Sequence, residues 1–143
     1  MKKKVTYLIL IFTLLLNLSA YAVYQPNPNR WQWVCSNSLN GYFFDKQSIS
    51  RTSTGISDWI MIVYTPEGVQ DEVNTLGYQV NNLAFTLQRI SLNYNYFRID
   101  SIYHYDARGN LLLYRDYKNS SSFPIIPNTK AEKMRNALYN FRQ

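Results

Sequence analysis

The side chains that most often carry out catalysis or bind metals are scarce in this chain of 143 residues. It contains one histidine, His104, and one cysteine, Cys35, far apart in sequence. A zinc site usually needs three or four ligands of these types. A serine nucleophile would need His104 as its base, and no G-x-S-x-G turn surrounds any serine. The sequence therefore predicts no catalytic residue, no metal site and no cofactor, and we expect His104 to lie on the solvent side of a strand.

Paired carboxylates are the one catalytic arrangement that the composition leaves open. Glycosidases place two such groups on either side of the bond that they cleave. The aspartates of this chain occupy positions that are typical of turns and polar strand faces, namely Asp45, Asp58, Asp100, Asp106 and Asp116. We therefore expect a protein without enzymatic activity. A hydrolase acting on polysaccharide or peptidoglycan is the enzymatic alternative.

Aromatic residues are abundant, with 13 Tyr, 7 Phe and 3 Trp. Tyr and Trp suit binding surfaces because each offers a large rigid contact area with a polar tip. Six tyrosines in strand-like segments are candidates for a cross-strand aromatic binding face: Tyr94, Tyr96, Tyr103, Tyr105, Tyr114 and Tyr117. The alternative is that these rings fill the core and strand faces of a small sheet protein. The exposure of the rings distinguishes the two interpretations.

The N-terminal residues 1–22 have the three parts of a cleaved secretory signal. Residues 1–4 (MKKK) are cationic, residues 5–16 are almost entirely apolar, and Ala20-Tyr21-Ala22 predicts cleavage after Ala22. The apolar run is shorter than the roughly 20 residues needed to span a bilayer. The sequence thus predicts an exported protein of the periplasm, cell surface or extracellular space, with no transmembrane segment after signal removal.

Charge and cysteine content constrain the partners of the exported chain. Loss of Lys2, Lys3 and Lys4 with the signal lowers the formal net charge from +6 to +3. The remaining basic residues are scattered, so no nucleic-acid footprint is present. Cys35 has no internal disulfide partner. It is either a buried small hydrophobe on a strand or the site of an intermolecular disulfide.

The apolar pattern predicts strands that are separated by turns. Residues 57–65 have apolar side chains on both faces, which is typical of a central strand that is covered on both sides. In residues 83–92 the apolar positions change parity near Gln88 and Arg89, which predicts a β-bulge there. Turns are predicted at residues 37–41, a cluster that ends in Asn-Gly, and at residues 105–110. Proline-bounded residues 123–127 are expected to lie extended against the core.

Two segments have helical signals. Val69, Val73 and Leu76 are spaced for a short helix that Gly77 would end. Near the C-terminus, Thr129 and Glu132 form a T-x-x-E capping box, and an apolar stripe follows it: Ala131, Met134, Leu138 and Phe141. The predicted fold class is α+β, with a single antiparallel sheet of about five to six strands and a C-terminal helix packed on one face. The edges of such an open sheet make a homodimer a further expectation.

Short motifs along the exported chain resemble those of the bacterial surface-adhesin protein E-like family. They are W-x-W-V at 31–34, G-Y-F-F-D at 41–45, S-I at 48–49, D-W at 58–59, Y-F-R-I at 96–99, Y-H-Y-D-x-x-G-N at 103–110 and I-I-P-N-T at 125–129. The resemblance implies a secreted or cell-surface domain with an antiparallel sheet and a C-terminal helix. Its named member is an adhesin that binds host matrix and serum proteins.

The chain also departs from that family. Members often carry one cysteine near the position of residues 93–95 and another at the chain end, and the adhesin itself has a lipid anchor. Cys35 is the only cysteine here, and no lipid-attachment site is present. Apolar packing alone must therefore hold the C-terminal helix, and no binding residue is transferred from the family.

Together these observations predict three segments: a signal peptide at 1–22, an extended leader at 23–30 and a protein E-like α+β domain at 31–143. The expected function is that of an exported non-catalytic, adhesin-like domain at or near the bacterial cell surface. Its partner would be a host matrix protein or an envelope protein. The alternative is a soluble periplasmic accessory or structural module that binds another envelope protein.

Overall fold

The computed structural model describes residues 23–117 and 119–142, so the predicted signal and its cleavage after Ala22 lie outside the described residues. The described part contains eight strands, two α-helices and one 3₁₀ helix. In chain order these are β1 (Trp31–Ser36), β2 (Asn40–Asp45), β3 (Ser50–Thr52), β4 (Gly55–Tyr64), α1 (Pro66–Leu76), the 3₁₀ helix (Tyr78–Val80), β5 (Leu83–Leu92), β6 (Tyr96–Asp106), β7 (Leu111–Asp116), β8 (Phe123–Pro124) and α2 (Lys130–Asn140).

All the strand pairs are antiparallel, and six strands follow the order β1-β2-β4-β5-β6-β7. The short strands extend two of these pairings: β3 pairs with the start of β4, and β8 pairs with the start of β6. The predicted α+β class, with an antiparallel sheet and a C-terminal helix, is confirmed. The sheet exceeds the predicted five to six strands because β3 and β8 are too short to show an alternating pattern in the sequence.

The two faces of the sheet are covered differently, and alternate residues of β4 divide between them. Ile60, Ile62 and Tyr64 face the helices and belong to a core that includes Val80 and Leu138. We call this side the helix face. On the opposite side, which we call the second face, a separate cluster contains Trp31, Met61, Val63 and Phe85. Burial on both faces confirms the prediction that residues 57–65 form a central strand.

The leader packs on the second face. Residues 23–27 have no regular secondary structure, and residues 28–30 form a turn that leads into β1. The ring of Tyr24 lies 4.4 Å from that of Phe85. The Arg30 guanidinium contacts the buried Asp45 carboxylate at 2.7 Å and anchors the end of the leader to β2.

A bulge does occur near Gln88 and Arg89 as predicted, but the partner strand carries it. Strand β5 alternates without interruption from Phe85 to Leu92, with Phe85 and Leu87 on the second face and Ile90 and Leu92 on the helix face. Both sets are apolar because both faces are covered there. The register does shift between Arg89 and Ile90, but the additional residue is Asp100 in the partner strand β6.

Local signals placed both helices correctly. The Thr65 hydroxyl caps α1 by accepting a hydrogen bond from the Gly68 amide, and Gly77, at φ +98°, ends the helix. In α2 the Thr129 hydroxyl accepts from the Glu132 amide, and the Glu132 carboxylate accepts from the amide of Asn128. The predicted helix stop at Gly77 and the capping box are therefore confirmed.

The apolar stripe of α2 docks on the helix face as predicted. Met134 and Leu138 are buried, and the ring of Phe141 meets that of Phe44 edge-on at 5.1 Å. Arg51 of β3 also donates hydrogen bonds to the carbonyl oxygens of Leu138 and Phe141, both at 2.8 Å. A cation at these terminal carbonyls stabilises the C-terminal end of the helix.

The segment before α2 departs from the prediction. Residues 123–127 were expected against the core, and the start of the segment does pair with β6. Phe123 and Ile126 nevertheless remain 49% and 58% exposed. The prolines at 124 and 127 hold the chain extended, but the segment lies at the margin of the sheet, where little core remains to cover it.

Gly68 permits a close approach that a larger residue would prevent. A Cβ atom at this position would overlap the carbonyl oxygen of Leu39 in the β1–β2 turn, where the Thr65 amide donates to the same oxygen at 2.9 Å. We expect Gly68→Ala to lower the free energy of unfolding by about 1–3 kcal/mol, because the backbone has to move. Gly41→Ala is the control, since its Cβ would lie 3.5 Å from the nearest atom. Equal urea midpoints for the two variants would contradict the prediction.

Candidate binding face

The second face carries a row of aromatic rings that crosses four strands. The row, which we call the aromatic row, consists of Tyr24, Phe85, Tyr105, Tyr103, Tyr114 and Trp59. Tyr105 stacks on Phe85 at 5.2 Å between ring centroids, and Tyr103 lies 6.5 Å further on. Tyr103 also contacts Tyr114 at 4.6 Å and Trp59 at 5.7 Å. These spacings are those of favourable aromatic pairs.

The strand register explains why the rings meet. Phe85 of β5 lies opposite Tyr105 of β6, and Tyr103 lies opposite Tyr114 of β7. Directly opposed residues have side chains on the same face, so one register aligns the rings of three strands. Trp59 joins them from β4 and contacts Tyr103 diagonally across β5.

Arg89 adds a cation to the margin of the aromatic row. Its guanidinium carbon lies 5.7 Å from the ring centroid of Trp59, and its Nη2 donates to the Ser57 hydroxyl at 3.0 Å. Arginine over an indole face is an attractive pairing. The arrangement holds the guanidinium beside an aromatic surface, where it can meet an acidic group of a partner.

Tyr105 and Tyr114 of the row have raised pKa values and stay neutral at physiological pH. Desolvation, followed by the charge of Tyr103, raises the pKa of Tyr105. Desolvation, the hydrogen bond to Tyr103 and the nearby Asp116 raise the pKa of Tyr114 to about 12. These two rings therefore present hydroxyl groups rather than phenolates to a partner.

The structure divides the six predicted tyrosines among several places. Tyr103, Tyr105 and Tyr114 come together in the aromatic row, the first two half-buried and Tyr114 45% exposed. Tyr96 is exposed at the start of β6 on the edge of a polar depression. Tyr94 lies in the β5–β6 turn, where its ring stacks on that of Tyr139 in α2 at 4.5 Å.

Tyr117 lies apart from the row. It follows β7, is half-buried, and its backbone amide donates to the carbonyl of Asp100 at 2.8 Å. The residues that sequence reasoning missed are Trp59, Phe85, Tyr24 and Arg89. Trp59 alternates in step with Met61 and Val63, so the sequence did place these three side chains on one face of β4. Its ring partners lie on other strands, and the sequence does not reveal the register that brings them together.

His104 is buried, at 4% exposure, so its predicted place on the solvent side is wrong. It faces the helices, where its Nδ1 lies 2.9 Å from the Thr86 hydroxyl, which accepts from the Tyr64 hydroxyl at 3.0 Å. Tyr64 also bonds to Glu72 of α1. Burial, with a smaller effect from the charge of Arg115, lowers the pKa of His104 to about 4.

This chain of hydrogen-bonded polar groups links α1 to three strands, and it lies in the interior of the protein. Thr86 is fully buried, and burial raises the pKa values of Tyr64 and Glu72. An acid, a hydroxyl and an imidazole in sequence are the components of nucleophilic catalysis. The Thr86 hydroxyl, however, has no solvent-exposed surface that a substrate could contact. The groups satisfy one another's hydrogen bonds in the core.

Asp58 forms a second enclosed polar site. One of its carboxylate oxygens accepts a hydrogen bond from the Ser48 hydroxyl, and the other is buried without a partner among the described residues. Burial is the main cause that raises the pKa of Asp58 to about 6, and the bond from Ser48 opposes the rise. The nearby Asp45 carboxylate raises it further, and Arg89 lowers it slightly.

Within residues 23–117 and 119–142, no group of three His, Cys, Asp or Glu side chains is placed to hold a metal ion. Cys35 is a free thiol, 7% exposed, on strand β1. The interpretation of Cys35 as a buried small hydrophobe on a strand is thus confirmed. No helix of the described residues is long and apolar enough to cross a lipid bilayer.

Comparison with known proteins gives no relative: no family model, no curated protein and no solved structure matches this chain.

Proposed function

We propose that this chain is an exported, non-catalytic protein-binding domain of adhesin-like type that acts at or near the bacterial cell surface. The observation that carries the proposal is the aromatic row, a half-exposed strip of rings on the sheet face opposite the helices. Such rings provide contact area at a small cost in side-chain entropy, because each has only two rotatable bonds. The resemblance of the motifs to the protein E-like family and the predicted export signal support the location.

The exposed edge of the row has the composition of an interaction hot spot. Tyr114 of β7 is 45% exposed, and Arg89 lies beside Trp59. Tyr, Trp and Arg are the residues that most often dominate binding energy in protein interfaces. We infer that the partner is a protein, either a host matrix protein or another envelope protein, and that it covers this strip.

The test measures binding of the exported chain to host matrix proteins, namely laminin, fibronectin, vitronectin and collagen, by biolayer interferometry. We expect saturable binding to at least one of them and a loss of about tenfold or more in Tyr114→Ala, the size typical of an aromatic hot spot. The matched control is Tyr78→Ala, since Tyr78 is 79% exposed in the 3₁₀ helix and outside the aromatic row. The control is expected to bind as the unmodified protein does.

Absence of saturable binding to all four proteins, or an equal loss in both variants, would count against the adhesin-like proposal. Proteolysis of intact cells separates it from the alternative, a soluble periplasmic accessory module that binds another envelope protein. A chain that is digested on intact cells supports surface adhesion. A chain that is protected until the outer layer is opened supports the periplasmic module, and the Tyr114→Ala comparison would then be repeated with envelope proteins.

A further inference from the structure

A polar depression lies at one end of the second face, beyond the aromatic row. Its volume is about 330 Å³, at the lower end of the range for small-molecule sites. The β3–β4 turn, the β5–β6 turn and the loop before β8 surround it. The lining side chains that could contact a ligand through polar or aromatic groups are Ser57, Ser91, Asn93, Tyr96, Arg98 and Ser122.

The groups of the depression are fixed by their own hydrogen bonds. The Arg98 Nε donates to one oxygen of Asp100 at 2.6 Å, and the Ser91 hydroxyl donates to the other at 2.6 Å. The Asn93 side-chain oxygen accepts from the amides of Asn95 and Tyr96, at 2.9 and 2.8 Å. A site whose side chains are already held in place loses little entropy when a ligand binds.

These bonds leave donors for a ligand. Arg98 binds Asp100 through its Nε, so the two Nη groups of the guanidinium can donate to a ligand. The hydrogen bonds of the Asn93 side chain use its oxygen, so its side-chain N–H groups can donate to a ligand. Ser57 accepts from Arg89 and can donate its own proton onward. The depression is thus rich in hydrogen-bonding groups, and the Asp100 carboxylate compensates the charge of Arg98.

We propose that this depression binds a saccharide unit. Tyr96, 50% exposed at its edge, offers a ring face for the C–H surface of a sugar, and the hydroxyl, amide and guanidinium groups match the alternating donors and acceptors of sugar hydroxyls. Compensation of Arg98 by Asp100 disfavours a simple anion. The small volume and polar lining disfavour an apolar side chain of a protein partner. The site is separate from the aromatic row and does not depend on its function.

The test is a titration of the exported chain, followed by amide chemical shifts, with glucose, galactose, N-acetylglucosamine and short oligomers of each. We expect shifts at Ser57, Ser91, Asn93 and Tyr96 with millimolar affinity for a single ring. Tyr96→Ala and Arg98→Gln are each expected to weaken binding about fivefold or more, and the spectra report that the variants remain folded. Tyr114→Ala, in the aromatic row, is the control and should bind unchanged.

Three results would overturn the proposal. The first is the absence of shifts with every sugar of the panel. The second is binding that is lost in Tyr114→Ala and kept in Tyr96→Ala, which would place the sugar on the aromatic row. The third is the same set of shifts produced by inorganic phosphate alone, which would make the depression an anion site. None of these results affects the protein-binding proposal for the aromatic row, which is tested by its own assay.

Discussion

Leu138→Asp is expected to lower the free energy of unfolding by several kcal/mol, about 3–5, the range for an unpaired charge in a core. Leu138 has no exposed surface and lies between α2 and the helix face of the sheet. The carboxylate would be desolvated among apolar core neighbours, and the nearby Arg51 guanidinium is already bonded to the carbonyl oxygens of Leu138 and Phe141. Urea unfolding, followed by tryptophan fluorescence, measures the change.

Asn136→Asp is the matched control for this variant. Asn136 is exposed on the same helix, two residues before Leu138, and its side-chain oxygen accepts from the Arg135 guanidinium at 2.9 and 3.1 Å. A carboxylate there keeps that acceptor, so we expect a change below about 1 kcal/mol. If Leu138→Asp were as stable as the control, the docking of α2 on the sheet would be wrong, and with it the helix face as described.

Local patterns in the sequence were sufficient for the helices. The cap at Thr129, the stripe through Met134 and Leu138 and the stop at Gly77 each depend on residues within a few positions of one another. Such signals can be read without knowing the rest of the fold, since they are set by the helical period and by backbone groups that need a partner. The two-sided apolar pattern of β4 was equally local.

Relations between strands could not be predicted in the same way. The aromatic row depends on Phe85, Tyr105 and Tyr103 sharing one face, and this follows from pairings between distant segments. A shift of one residue in such a pairing would move every side chain of a strand to the opposite face. His104 was misassigned for the same reason, because the hydroxyl of Thr86 that makes its burial tolerable comes from the neighbouring strand.

Asp58 and His104 are expected to make the free energy of unfolding depend on pH in opposite directions between about pH 4 and 6.5. Asp58 has a raised pKa, about 6, so the folded state holds its proton more tightly than the unfolded chain does. Its contribution to stability is therefore complete below the unfolded pKa near 4 and is lost as pH rises toward 6. His104 has a lowered pKa, about 4, so its contribution is lost as pH falls from 6.5 to 4.

Asp58→Asn removes the first of these two terms. Asparagine retains an oxygen for the Ser48 hydroxyl and places an uncharged group where the partnerless carboxylate oxygen lies. Two pH units of pKa shift correspond to about 3 kcal/mol. We expect the stability of Asp58→Asn, relative to the unmodified protein, to rise by about 2 kcal/mol between pH 4 and 7, because part of the effect already lies below pH 4, whatever the fixed cost of the amide itself.

The comparison of slopes isolates the carboxylate because Asp45, Arg89 and His104 remain in both proteins. The measurement is the urea midpoint at each pH from 4 to 7, with Asp71→Asn, at an exposed position of α1, as the control. The dependence that remains after Asp58 is neutralised comes from groups that both proteins share: His104 favours higher pH, and Glu72, whose pKa burial raises, opposes it. Parallel curves for Asp58→Asn and the unmodified protein would show that Asp58 is ionised at no cost in the fold, and would contradict its enclosure beside Ser48.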